Sequence, residues 1–177
     1  MKVLRVHAPE TPRGLAEKIG RAVVDFNRGL DIRLRFLSIG IDETVLEVAD
    51  AANASEAVAG ALRQSPPDVV LLLGDGPAAL AAAACAVRER ALLVRAGAGR
   101  REGRDADAAR AIDRIATILL VHGTTAAAAL DAEGVAAQRI DVGDVADPGV
   151  GEKIVRALSR ARRAAHGSTQ SGSTGGV

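Results

Sequence analysis

Short apolar runs alternate with longer stretches of helical periodicity along the chain. Lys2–His7 reads as a first strand. Thr11 and Pro12 then supply an N-cap and a proline at the first helical position, predicting a helix over Pro12–Arg28 that Gly29 ends. Asp31–Ser38 alternates charged and apolar residues as an edge strand does, and a weaker helical pattern covers Glu43–Asp50. Asn53 and Glu56 form a capping box for a helix reaching about Gln64. The segment SPPDVVLLLGDG, 65–76, sets a proline boundary before the unbroken Val/Leu run of a parallel strand covered on both faces. Beyond it the pattern predicts a helix over Pro77–Arg90, a strand over Ala91–Arg95 and a helix over Asp105–Ala116. A strand over Thr117–Val121, a helix over Thr124–Glu133, a strand over Arg139–Val142 and a helix over Gly151–Arg163 complete it.

Strands separated by helices in this order indicate an α/β fold, a single doubly wound, Rossmann-like domain with a mostly parallel six-stranded sheet. A chain of 177 residues with 48% hydrophobic content suits one such core, placed at 1–164. The Gly/Ser/Thr-rich end, 165–177, reads as a disordered tail. The net charge of +1 offers no global field for nucleic acid or an anionic membrane, and two Phe with no Tyr or Trp leave little to stack on a base. Single Cys85, the lack of a charged-then-apolar leader and the absence of a long apolar run favour a cytoplasmic protein. No nucleic-acid or membrane partner is expected.

Ligands of such folds bind outside the carboxyl ends of the strands. His7, Asp75, Arg95, His122 and Asp144 all fall at or just past predicted strand ends. The stretch LLVRAGAGRREGR, 92–104, adds Gly97, Gly99 and Gly103 with Arg100, Arg101 and Arg104. Glycine backbone and guanidinium forks suit an anion. The glycines do not fit G-x-G-x-x-G, and a solvated basic turn explains the same residues. Asp75 is either a catalytic carboxylate or a cap for the Pro77 helix, and Thr124 and Thr125 read as caps of the helix they precede. The histidines His7 and His122 lack a third ligand at metal spacing, so neither a metal nor a cofactor is expected. The alanine-rich helix over 77–90 suits close packing on the sheet, or the approach of another subunit.

PDVVLLLGD, LLVRAGAGR and DAARAIDRIATILLVHGTTAAAALDAEGVAAQRIDVGDVAD follow one another in an order that resembles the N-terminal half of the non-hydrolysing UDP-N-acetylglucosamine 2-epimerases. The match covers about residues 65–147 well and the first 64 loosely, with Pro9 and Glu10 echoing an R-P-E motif in which Ala8 stands for the arginine. The resemblance implies one half of a two-domain GT-B-like architecture. It also implies chemistry in which the C2 proton of the sugar is abstracted, UDP is eliminated and added back, and carboxylates accept and donate protons. On that basis Asp75 and Asp107 are the candidate catalytic residues. His7, Arg95, Arg100, Arg110 and His122 are the candidate ligand-binding residues.

Two departures bear on activity. Arg95 stands where the family's V-E-A-G motif has a glutamate, and an arginine accepts no proton at neutral pH. GDVAD, 143–147, runs directly into PGVGEKIVRALSRAR, 148–162, which resembles the family's final helix, and the resemblance implies an internal deletion of the second, nucleotide-binding domain between them. The leading expectation is a non-catalytic accessory or assembly subunit of a nucleotide-sugar enzyme, in a homo-oligomer or in a hetero-oligomer for which a full-length epimerase is the candidate partner. The alternatives are an active 2-epimerase half completed by a separate nucleotide-binding chain, and a module that binds a small anion or a UDP-sugar.

Overall fold

The computed structural model describes residues 1–8, 13–33, 42–101, 105–144 and 146–167. Six parallel strands, β1 (Lys2–His7), β2 (Asp42–Glu47), β3 (Val69–Leu73), β4 (Leu93–Ala98), β5 (Ile118–Val121) and β6 (Gln138–Asp141), form one sheet in the order β2-β1-β3-β4-β5-β6. The helices between and after them are α1 (Arg13–Arg33), α2 (Ala51–Gln64), α3 (Pro77–Arg88), α4 (Ala106–Ile115), α5 (Gly123–Ala132) and α6 (Val150–Gly167).

The all-Val/Leu sequence of β3 explains its central place, because every residue from Val69 to Leu73 is buried and alternate side chains enter opposite layers. Val70 and Leu72 join α2, α3, α4 and α5 in one layer, while Val69, Leu71 and Leu73 join α1 and α6 in the other. Sequence order reverses across β1, which puts the topological switch point between β1 and β3. Alanines 78, 79, 82, 83 and 86 bury one side of α3, the close packing that its composition favours.

Several predicted elements differ. The expected helix over Glu43–Asp50 is mostly strand β2, paired in parallel with β1 from Lys2↔Asp42 to His7↔Glu47. Its local pattern is weak, and pairing decides it. Inside the sheet Arg5 Nε lies 3.1 Å from Glu43 Oε1 and the same guanidinium donates to the carbonyl of Ala16 at 2.7 Å. Helix α1 runs through Gly29 to Arg33, since a helical glycine costs only about 1 kcal/mol. It thereby takes up Asp31–Arg33 of the expected strand. The remainder of that strand, and the Thr11–Pro12 cap, lie outside the described residues. Asp50, not Asn53, caps α2, with its carboxylate accepting from Asn53 N at 2.9 Å. Neither threonine caps α5, which begins at Gly123 without a side-chain cap. Helix α6 reaches Gly167, and 168–177 lie outside the described residues. No helix among the described residues is long and apolar enough to cross a membrane.

Helices α1 and α6 touch at a glycine. A Cβ on Gly151 would stand 2.3 Å from the carbonyl oxygen of Lys18, inside any tolerable contact. Gly151→Ala is therefore expected to push the helices apart and cost about 1–3 kcal/mol, as overpacking does. Thermal unfolding checks this, and an unchanged midpoint would contradict the packing.

Candidate functional site

The carboxyl ends of the strands bring together most of the residues singled out in the sequence. Arg95 shares the side of β4 occupied by Leu93 and Ala98 and points into the layer of α2–α5. Its exposure is 0%, and a buried guanidinium must be paired on every side it can reach. One terminal nitrogen donates to the carbonyl of Gly74 at 2.7 Å and the other to Asp75 Oδ1 at 2.5 Å. Its Nε stands 2.5 Å from Asp113 Oδ1.

Asp113 is equally buried and carries the chain of charges onward. Its other oxygen accepts from the backbone N–H of Gly99 at 3.0 Å and from Arg101 at 2.8 Å. Arg101 grips Glu133 with two bonds of 2.7 Å. Glu133 also meets Arg110 at 3.1 Å, and Arg110 meets Asp107 at 2.7 Å. Asp75, Arg95, Asp113, Arg101, Glu133, Arg110 and Asp107 thus alternate in sign through one network, fully buried at Arg95 and Asp113 and solvated at Asp107. Bidentate and charge-assisted bonds of this kind are the strong ones.

This arrangement limits proton chemistry. Hydrogen bonding from Arg101, opposed in part by burial and helped by Arg110, holds the Glu133 carboxyl down to about 2. Such a group stays ionised at neutral pH and is a poor base. Asp75 is not the cap of α3, where Gly76 occupies that position without a side-chain bond; its carboxylate serves Arg95 instead. Asp107 is 98% exposed at its side chain, and the structure joins it to Asp75 only through the intervening ion pairs.

His7, His122 and Arg100 lie outside that network. His7 Nδ1 is 2.9 Å from Glu47 Oε1, and His122 Nδ1 is 2.8 Å from the carbonyl of Gly143. These partners assign the ring proton to Nδ1 in each, which leaves Nε2 as an acceptor. Both Nε2 atoms are buried with no hydrogen-bond partner among the described residues. Burial is the largest cause holding both imidazoles below the ordinary histidine range, with the positive charge of Arg5 acting on His7 and that of Arg100 on His122 in the same direction. A lowered pKa means that the unfolded chain takes the proton first. The stabilisation is therefore present above the unfolded value of 6.5 and is lost as pH falls below it. Imidazole titration by NMR is expected to place both midpoints below 6.5, and a midpoint above it would contradict the burial.

Asp113 and Glu133 were not among the residues singled out from sequence. Asp113 carries a visible signal, because it lies on the apolar stripe of α4 between Ala109, Ile112 and Ala116, all buried. A carboxylate on such a stripe requires a buried cation. Among the described residues no group of three His, Cys, Asp or Glu is placed to hold a metal. Cys85, also buried, lies 3.2 Å from the carbonyl of Ser55 and packs between α2 and α3.

No protein-family description and no curated protein matches the sequence. Solved structures do match in fold. The UDP-GlcNAc 2-epimerase of Methanocaldococcus jannaschii superposes with a TM-score of 0.66 at 19% identity, covering 91% of this chain and 53% of that one. The UDP-GlcNAc 2-epimerase of Neisseria meningitidis, solved with UDP-GlcNAc bound, gives 0.65 at 14% identity, covering 98% and 53%. S. aureus MnaA, solved with UDP, gives 0.61 at 16% identity, covering 85% and 46%. The chain spans about half the length of each of these neighbours, and it has the single parallel α/β fold of that half of a UDP-N-acetylglucosamine 2-epimerase.

Proposed function

We propose that this chain is an epimerase-like domain without epimerase activity of its own, acting as an accessory or assembly subunit of a nucleotide-sugar enzyme. The observation that carries the reading is Arg95. It stands where the resemblance places a glutamate, it is fully buried, and it takes up Asp75, the surviving carboxylate, in an ion pair of 2.5 Å. The short connection 142–149 supports the same reading, because α6 returns to pack on α1 with no second domain between β6 and α6. A fold that keeps its sheet while its acids neutralise buried arginines is fitted to hold a partner more than to move protons.

The test is a tagged pull-down from the native host, with the mass of the eluted complex measured intact. A stoichiometric full-length epimerase or a separate nucleotide-binding chain is the expected companion. A monomer that ignores every nucleotide-sugar enzyme would overturn the reading.

A second reading has its own observation. His7 and His122 each present an uncommitted ring nitrogen at the strand ends, with Arg100 close enough to His122 to act on its charge. With Nε2 an acceptor in each, that set favours a module in which Arg100 meets a small anion or the phosphates of a UDP-sugar and the imidazoles accept from hydroxyl groups. Titration with UDP and UDP-GlcNAc is expected to raise the melting temperature if this reading holds, and no shift would exclude it.

A further inference from the structure

The net charge of +1 conceals a separation of charge between the two ends of the sheet. All the connecting helices run back against the strands, so their last turns lie toward the amino end, away from Asp75 at the end of β3. There α2 presents Arg63, α4 presents Arg114, Arg90 follows α3, and the second half of α6 presents Arg160 and Arg163, all of them exposed. None of these has an ion-pair partner among the described residues. Of the acids toward that end, Asp68 meets Lys2 N and Arg162, Glu89 meets Arg88, Asp131 meets Arg139 and Glu133 meets Arg101 and Arg110, while Asp42 at the start of β2 is exposed. The opposite end collects Glu47, Asp50, Asp75, Asp141, Asp144 and Asp147, of which Asp75 is paired with Arg95 and Asp147 with Lys153, and it also holds Lys18 and Arg100.

Basic residues at a helix C-terminus complement the helix dipole, which accounts for Arg63, Arg114 and Arg90, the last of them just past the Glu89 cap of α3 with a φ of 58°. Arg160 sits well before the end of α6 at Gly167, and the dipole does not explain it. We infer that the amino end of the sheet docks on a flat anionic lipid surface.

Three observations favour a membrane surface over another polyanion. The arginines occur on both sides of the sheet, with Arg63, Arg90 and Arg114 in the α2–α5 layer and Arg160 and Arg163 in the α1–α6 layer. A linear chain can follow one row, whereas a plane meets both. Two of the exposed large apolar side chains, Val87 and Ile115, stand in the last turns of α3 and α4 beside Arg88 and Arg114, where they can enter a headgroup layer. No Trp or Tyr is present to stack on nucleic-acid bases. Clustered arginines add their attractions at an anionic leaflet and lose them within a Debye length as salt rises.

The test is sedimentation of the full chain with phosphatidylcholine vesicles, with and without about 30% phosphatidylglycerol, an anionic fraction that gives the surface its potential. Binding is expected only to the anionic vesicles and is expected to weaken with salt. The triple variant Arg63→Glu/Arg90→Glu/Arg114→Glu and the double variant Arg160→Glu/Arg163→Glu should each lower partitioning at least about tenfold. Arg21→Glu, on the exposed side of α1 away from that end, should change little, and unaltered circular dichroism checks that each variant is folded. Equal binding to neutral vesicles, no binding at low salt, an effect from only one of the two layers, or preferential capture by duplex DNA would each overturn the proposal.

Discussion

Replacing Arg95 by methionine is expected to destabilise the fold by about 3–5 kcal/mol, the range for removing one partner of a buried ion pair. The loss comes less from Arg95 itself than from Asp113, which would keep a charge in a fully buried position with only Gly99 N and Arg101 to balance it. Arg95→Glu should be at least as damaging, because it sets a third carboxylate beside Asp75 and Asp113. The glutamate expected from the resemblance therefore cannot be restored alone. The double variant Arg95→Met/Asp113→Leu should recover part of the loss, since apolar residues can replace a buried pair at little net cost while Gly99 N, Arg101 and Asp75 lose their partner. Chemical denaturation of the two singles and the double gives the coupling energy. A near-zero coupling would mean that the two side chains do not depend on each other.

The second large effect is expected at Gly99. Its φ is +82°, and a Cβ there would lie 2.2 Å from the carbonyl oxygen of Ala126, at the point where the turn after β4 meets α5. Gly99→Ala combines left-handed strain of about 1–2 kcal/mol with a backbone clash costing about 1–3 kcal/mol. The clash also displaces the N–H that Asp113 accepts, so the charge network is disturbed with it. Gly123 offers the matched comparison, because it has the same φ of +82° and a methyl added there would meet nothing within 4 Å. Gly123→Ala should show the strain alone. Equal losses at the two positions would refute the contact with Ala126.

The sequence was most legible where composition leaves little choice. PDVVLLL predicts a buried parallel strand because each of its side chains must find an apolar layer, and β3 does so in both. The alanines of α3 predict close packing for the same reason. Strand β2 was not legible, since DETVLE has a strand's pattern only once its pairing with β1 and the Arg5–Glu43 contact are known. The parallel topology puts His7, Asp75, Arg95 and His122 at or near the strand ends, and of these the structure pairs Asp75 with Arg95. What Arg95 does there depends on Asp113, and what Arg101 does depends on Glu133, partners that come from the tertiary approach of α4 and α5. Arg101 was visible as part of a basic loop, yet its partners were not.

The network also adds a pH dependence below that of the two histidines. The Glu133 carboxyl is held to about 2 against an unfolded value of 4.5, so its contribution is complete above the unfolded value and is lost as pH falls through that interval.

The most direct measurement of the central claim is solvent exchange at C2 of UDP-N-acetylglucosamine, followed by NMR in deuterated buffer with the purified chain. With Arg95 buried against Asp75 and Asp113, no deuterium should enter at C2. Exchange that appears with this chain and disappears in Asp75→Asn would contradict the account.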